Sequence, residues 1–224
     1  MRRALKNNGL TLFFSALFLV SLVGQSVAGW RSFNEEQQGH DAPTLSYGRY
    51  LVSSDFGEAV VENWQSEYLQ FTLFILATVW LVQRGSNESK KPEDIGLESD
   101  AKQLIGSHAQ RNSPVWAKIG GWRTGVYENS LLIVMAAIFF GAWAAQSLTG
   151  WTLYNQEQAD HGEPTVSWAG YLARPDFWEK TLQNWQSEFL AVGTMAIFTV
   201  YLRQRGSPES KPVGAPHDET ASSG

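Results

Sequence analysis

Asn63-Trp64-Gln65-Ser66-Glu67-Tyr68-Leu69 returns as Asn184-Trp185-Gln186-Ser187-Glu188-Phe189-Leu190, 121 positions later. Working outward, the same offset holds without a gap from Gln25–Lys90 to Gln146–Lys211, and roughly half the aligned pairs are identical. Gly29-Trp30 meets Gly150-Trp151, and Gln83-Arg84-Gly85-Ser86 meets Gln204-Arg205-Gly206-Ser207. The chain is a tandem duplication, so a residue kept in both copies answers to a constraint both copies share.

Each copy holds two apolar stretches: Leu10–Val27 and Trp64–Val82 in the first, Ser130–Leu148 and Trp185–Leu202 in the second. Stretches of about 18–20 apolar residues match a hydrocarbon core of about 30 Å. Glu67 and Glu188 are the only acids inside them, and five of the ten Trp (Trp30, Trp64, Trp80, Trp151, Trp185) sit near their ends, where an amphipathic ring prefers the interface. The expected fold is an all-α membrane protein of four transmembrane helices, built as a parallel tandem repeat of a two-helix unit with helical extracytoplasmic extensions. The first repeat occupies 1–91 and the second 122–212, joined by a cytoplasmic linker at 92–121 and followed by a disordered tail at 213–224.

Arg2, Arg3 and Lys6 before an apolar run, with Ser26-Val27-Ala28 behind it, also have the form of a signal peptide. The duplication argues against cleavage, because Asn8 and Leu10 align with Asn129 and Leu131 of an internal span. Lys and Arg gather before span one, between spans two and three, and after span four, while segments 29–63 and 150–184 are net acidic. The positive-inside bias places both termini and the linker in the cytoplasm. An even number of spans per copy then relates the copies by a pseudo-twofold along the membrane normal.

Within each acidic segment, Trp30–Gln38 and its counterpart lack Gly and Pro and are expected to prolong the first helix to Gly39-His40-Asp41 or Asp160-His161-Gly162. Pro43 and Pro164 follow as turns. Asp55 with Glu58, and Asp176 with Glu179 after Pro175, have the spacing of a capping box that starts the second helix. That helix is expected to run to Arg84-Gly85 and Arg205-Gly206, where a basic residue suits the helix end and glycine the left-handed closing position. Val115–Arg123 places Trp116, Ile119 and Trp122 at helical spacing, as a short interfacial stretch would.

Three sets of repeated side chains are candidates for chemistry. Asn63, Ser66 and Glu67, with Asn184, Ser187 and Glu188, put polar groups about one turn inside the outer interface, where an acid must be paired, protonated or wet. One reading is an ion or proton site shared by the two glutamates, which would titrate as a pair; the other is hydrogen bonding that ties helices together. Glu36 and His40, repeated as Glu157 and His161 at i, i+4, could ligate a divalent metal across the twofold. Equally, each His could bond the last carbonyls of its helix. The aromatic pairs Tyr50/Tyr171, Phe56/Phe177, Trp30/Trp151 and Trp64/Trp185 suit packing and interface anchoring.

The chain lacks cysteine, which excludes disulfides and thiolate chemistry, and its net charge of −5 without a basic cluster argues against nucleic acid as a partner. No nucleophile-and-base arrangement or phosphate-binding loop stands out, so an enzyme is not expected. At Tyr154-Asn155-Gln156-Glu157-Gln158, His161-Gly162, Tyr171-Leu172, Asn184–Leu190 and Leu202–Ser207 the chain resembles a family of uncharacterised bacterial integral-membrane proteins, a domain of unknown function carrying the Asn-Trp-Gln/Glu-Ser-Glu-Phe-Leu element. The first copy departs from it at Phe33 and Gly57, where the second has Tyr154 and Trp178. The resemblance implies a bacterial inner (plasma) membrane location and no mechanism. The leading expectation is a non-enzymatic envelope protein that binds, senses or scaffolds, with the lipid bilayer as partner and no cofactor. The alternatives are a small ion or proton transporter using Glu67 and Glu188, four spans being few enough to call for a homo-oligomer, and a membrane metalloenzyme or metal sensor at His40 and His161.

Overall fold

A computed structural model of the chain describes residues 7–220. Arg2, Arg3 and Lys6, and positions 221–224 of the expected tail, lie outside the described residues. Among those described, the regular structure is helical throughout. Two helices of 31 residues, α1 (Gly9–Gly39) and α6 (Ser130–Asp160), are long and apolar enough to cross a membrane. Each runs about 46 Å at 1.5 Å per residue and carries its apolar sequence on into a polar extension, as the lack of Gly and Pro there requires. Leu10 and Val20 of α1 are 75 % and 71 % exposed. The other long helices, α3 (Ser54–Trp80) and α8 (Pro175–Tyr201), have 27 residues each and begin with polar turns. Between them lie the short helices α2 (Tyr47–Tyr50), α4 (Val115–Lys118), α5 (Gly121–Glu128) and α7 (Trp168–Leu172).

Helix ends match the punctuation in part. After α1, the Ala42 amide donates to Gln37 O (2.8 Å) and the Asp41 amide to Gln38 O (3.3 Å); after α6, Glu163 donates to Gln158 O (2.7 Å) and Gly162 to Ala159 O (3.1 Å). This is the Schellman pattern, and its left-handed residue is Asp41 (φ 53°) in one copy and Gly162 (φ 69°) in the other. The N-terminus of α3 departs from the expected capping box. Ser53 is its cap, accepting from the Phe56 amide at 3.3 Å, while Asp55 sits within the first turn and Glu58 is buried. The cap of α8 is Arg174, with Pro175 and Asp176 in the first turn. Nor do α3 and α8 reach Arg84 and Arg205; they stop at Trp80 and Tyr201. Other donors take the carbonyls that a longer helix would use. The Gly96 amide bonds Val79 O (2.8 Å), and the Arg203 guanidinium bonds Thr199, Val200 and Leu202 O (2.8–3.3 Å). Gly85 and Gly206 do take positive φ, inside the turns that follow.

The chain divides into two compact units, Met1–Val61 with Ala145–Tyr171, and Glu62–Ala144 with Leu172–Gly224. In the first, each segment after a long helix folds back on it through a clamp that recurs 121 residues on. Asn34 Nδ2 donates to Leu45 O (2.9 Å), Asn34 Oδ1 accepts from the Leu45 amide (2.8 Å) and Trp30 Nε1 donates to Leu45 O (2.7 Å). Asn155, Trp151 and Val166 repeat these three bonds at 2.9, 2.8 and 2.7 Å. Ser26 shares a hydrogen bond with the Tyr47 hydroxyl (2.7 Å), and Trp168 Nε1 donates to Ser147 Oγ (3.1 Å). Tyr50 and Tyr171 are buried behind these clamps, with their hydroxyls over Gly29 and Gly150, where neither glycine has room for a Cβ.

In the second unit, Phe139, Trp143, Phe177, Trp178 and Trp185 form one aromatic cluster with ring centroids 5.4–6.4 Å apart. Gly120 (φ 72°) and Gly121 (φ 67°) separate α4 from α5, and Trp116 packs edge-on to Trp122 at 6.3 Å with Trp122 and Ile119 exposed. The expected interfacial stretch is thus two short helices rather than one.

Candidate functional site

The polar element repeated in the sequence lies in the second unit, along α3 and α8. Adjacent side chains of α8 meet successive turns of α3. Nearest their N-termini, Asn184 Nδ2 donates to Glu62 Oε1 (2.8 Å) and to Lys180 O of its own helix (3.0 Å). Next to Asn184, Trp185 Nε1 donates to Gln65 Oε1 (2.7 Å), one turn further along α3. Gln65 is wholly buried, at 0 % exposure, and its Nε2 has no hydrogen-bond partner among the described residues. Thr181 Oγ1 and Trp143 Nε1 share that condition. Ser66 and Ser187 turn inward to their own helices, donating to Asn63 O (2.9 Å) and Asn184 O (3.1 Å). Glu67 is exposed, Glu188 half-buried, and each lies within the other's electrostatic reach.

One turn further along the same helices, α3 and α8 border a half-open pocket of about 200 Å³ lined by Gln70, Phe71, Phe74, Ala191, Val192, Met195 and Glu88. Its walls come from the helices, while Glu88 comes from the turn after α3. That turn and its counterpart after α8 have one design. The Gln83 amide donates to Ser89 Oγ and the Gln204 amide to Ser210 Oγ, both at 2.8 Å. The Glu88 amide donates to Ser86 Oγ (3.0 Å) and the Glu209 amide to Ser207 Oγ (3.1 Å). Lys90 Nζ donates to Gly96 O (3.2 Å), and Lys211 Nζ donates to Pro216, His217 and Glu219 O at 2.9–3.0 Å. Lys211 is 3 % exposed; burial, and then the Arg203 charge, draw its ammonium below the usual lysine range. The two turns interlock. Asn87 Nδ2 donates to Pro208 O (2.9 Å), Ser86 and Thr199 share a hydroxyl bond (2.9 Å), and the Gly85 amide donates to Thr220 Oγ1 (2.9 Å). At this junction burial first, then the charge of the exposed Glu209, hold the Glu88 carboxyl above its usual range.

Of the residues singled out from sequence, Glu67 and Glu188 are brought near one another, and Asn184 bonds across to α3. Asn63 and Ser187 are exposed. Glu36, His40, Glu157 and His161 are exposed in the first unit, and among the described residues no group of three or more His, Cys, Asp or Glu could hold a metal. His161 Nδ1 lies 2.8 Å from Glu157 O, closing its own helix end. Glu36 instead lies within reach of Asp55, whose carboxyl is raised chiefly by burial, against bonds from the backbone and Ser53 that lower it. Sequence reasoning missed Gln65, Glu62, Thr181 and Trp143, and it passed over Glu88 and Glu209. A signal for the last two was present: Ser-x-Glu-Ser-Lys ends both copies at Lys90 and Lys211.

No curated protein and no solved structure matches the chain. A family model does match, over residues 1–222, and the chain with its paired helices and interlocked turns belongs to the family described as Domain of unknown function (DUF6766).

Proposed function

We propose that this is a non-enzymatic, four-span protein of the bacterial inner membrane, with both termini cytoplasmic, in which α3 and α8 carry protons or small cations past Glu67 and Glu188. The observation that carries this reading is the pair of carboxylates within electrostatic reach of one another on α3 and α8, one helical turn from a half-open pocket that the same two helices border. Carboxylates are costly in a hydrocarbon setting, and a pair of them near a pocket has the chemistry to take up and release a cation. The hairpin segments use their Trp, Asn and Ser groups to hold themselves, which favours the helix pair over the hairpins as the working part. The exposed apolar surface of α1 supports the bilayer as its surroundings.

The test is flux. Purified protein in liposomes, loaded with a pH-sensitive dye and polarised by a potassium gradient, should take up protons faster than empty vesicles. Glu67→Gln with Glu188→Gln should return uptake to the level of empty vesicles without lowering the unfolding temperature. Wild-type vesicles indistinguishable from empty ones, for protons and for sodium and potassium alike, would overturn conduction and leave the envelope binding or scaffold reading.

A further inference from the structure

Just ahead of α6, the short helices α4 and α5 reverse the usual sorting of side chains. Their buried positions are small or polar, Ala117 and Thr124, and the Thr124 hydroxyl donates to Trp116 O (2.5 Å). Their large apolar side chains face outward: Val115, Trp116, Ile119 and Trp122 are all exposed, Trp122 by 71 %. Trp116 and Trp122 meet edge-on, which gathers these groups into one patch across the Gly120-Gly121 break. An exposed apolar patch of this kind marks a surface that meets a partner or a membrane. α5 passes into α6 without a spacer. Asn129 Nδ2 bonds back to Gly125 O (2.9 Å), Ser130 Oγ to Tyr127 O (2.8 Å), and apolar exposure continues into Leu131. The patch thus sits at the first turn of a helix long and apolar enough to cross a membrane. Charge points the same way. In a chain of net charge −5, residues 109–128 carry Arg111, Lys118 and Arg123 against one acid, Glu128. All three cations are exposed, and none forms an ion pair among the described residues. Lys118 Nζ donates to Arg111 O (2.6 Å), and the Arg123 guanidinium lies 5.5 Å from the centre of the Trp122 ring. Indoles beside basic groups suit the headgroup zone, where the ring rests at the acyl boundary and the cation reaches phosphate.

We propose that α4 and α5 form a docking surface for the cytoplasmic leaflet and bind anionic phospholipid there. Trp116, Ile119 and Trp122 enter the boundary between headgroups and acyl chains, while Arg111, Lys118 and Arg123 take the phosphates. The cations select the lipid: a headgroup of net negative charge attracts them, whereas a zwitterionic one sets its own cation against them. This rests on the bilayer setting and orientation proposed above, and it holds whether or not the protein conducts.

The chain has no cysteine, so one introduced cysteine labels one place. A nitroxide attached in Ile119→Cys, and for comparison in Phe140→Cys on the exposed side of α6, reports its surroundings through collisions with oxygen and with a water-soluble nickel chelate. The full-length protein is measured in vesicles of phosphatidylcholine, with and without phosphatidylglycerol. With the anionic lipid, the label at 119 should collide with the chelate several-fold less often, and added salt should reverse the change. Lys118→Gln with Arg123→Gln should abolish the difference between the lipids, while Lys118→Arg with Arg123→Lys should keep it. A label at 119 open to the chelate in both lipids, with the label at 140 shielded, overturns the docking surface and leaves the bilayer setting intact. Shielding at 119 that ignores lipid charge overturns it as well, because the cations then do not select what covers the patch. Chelate that reaches 140 as freely as 119 removes the bilayer setting, and the proposal with it.

Discussion

Gly29 and Gly150 show how a single residue can be legible while its reason is not. Both copies keep the glycine, so the sequence marks it; only the structure shows a buried tyrosine hydroxyl, of Tyr50 or Tyr171, where a Cβ would go. Glu58 Oε1 crowds Gly150 as well, at 3.1 Å from that point. Gly29→Ala and Gly150→Ala should each lower stability by about 1–3 kcal/mol, as overpacking of a rigid ring does. Gly150→Ala should cost the more of the two, as read by thermal unfolding in detergent. Gln65 teaches the opposite lesson. On a helix Gln65 lies away from the face of Asn63 and Glu67, but spacing alone does not say which face is buried. The face carrying Gln65 turned out to be the inner one, because Trp185 offers it a donor.

At the level of elements, the ends of α1 and α6 were readable and the ends of α3 and α8 were not. Gly162 and Asp41 occupy the same left-handed position, which explains why these two types replace one another between the copies: both tolerate it. Beyond Trp80 and Tyr201, by contrast, the carbonyls are taken by groups far along the chain, Gly96 and Arg203, which local propensity does not see. The interlocked turns that result have a pH signature. A carboxyl held above its usual range in the folded state, as Glu88 is, contributes stability while the proton is bound. That contribution is complete below the ordinary carboxylate range and disappears as pH rises through the raised value. Wild-type protein should thus lose unfolding temperature over that interval, and Glu88→Gln, neutral throughout, should flatten the loss. A slope that is the same in both would show that Glu88 carries none of it.

For the molecule as a whole, helical content, the long apolar helices and their polar extensions were all legible from apolar run length and from Gly and Pro placement. The polar first halves of α3 and α8 make them less distinct than α1 and α6, for the same reason that they hold the candidate site: buried Gln65, Ser66 and Thr181 stand where a lipid-facing helix would place Leu. With α1 so exposed on its apolar side, the protein should stay in the membrane pellet after alkaline carbonate extraction. Recovery in the supernatant would contradict the bilayer as its surroundings. The bond from the Gly85 amide to Thr220 spans 135 positions, and that from Arg84 to Asp218 spans 134. During biosynthesis the first turn must therefore emerge and wait, its amide and its arginine unengaged, until the second copy has been translated. The halves of this duplicated chain mature together, and a ribosome that stalls between them leaves behind a first half with an open latch.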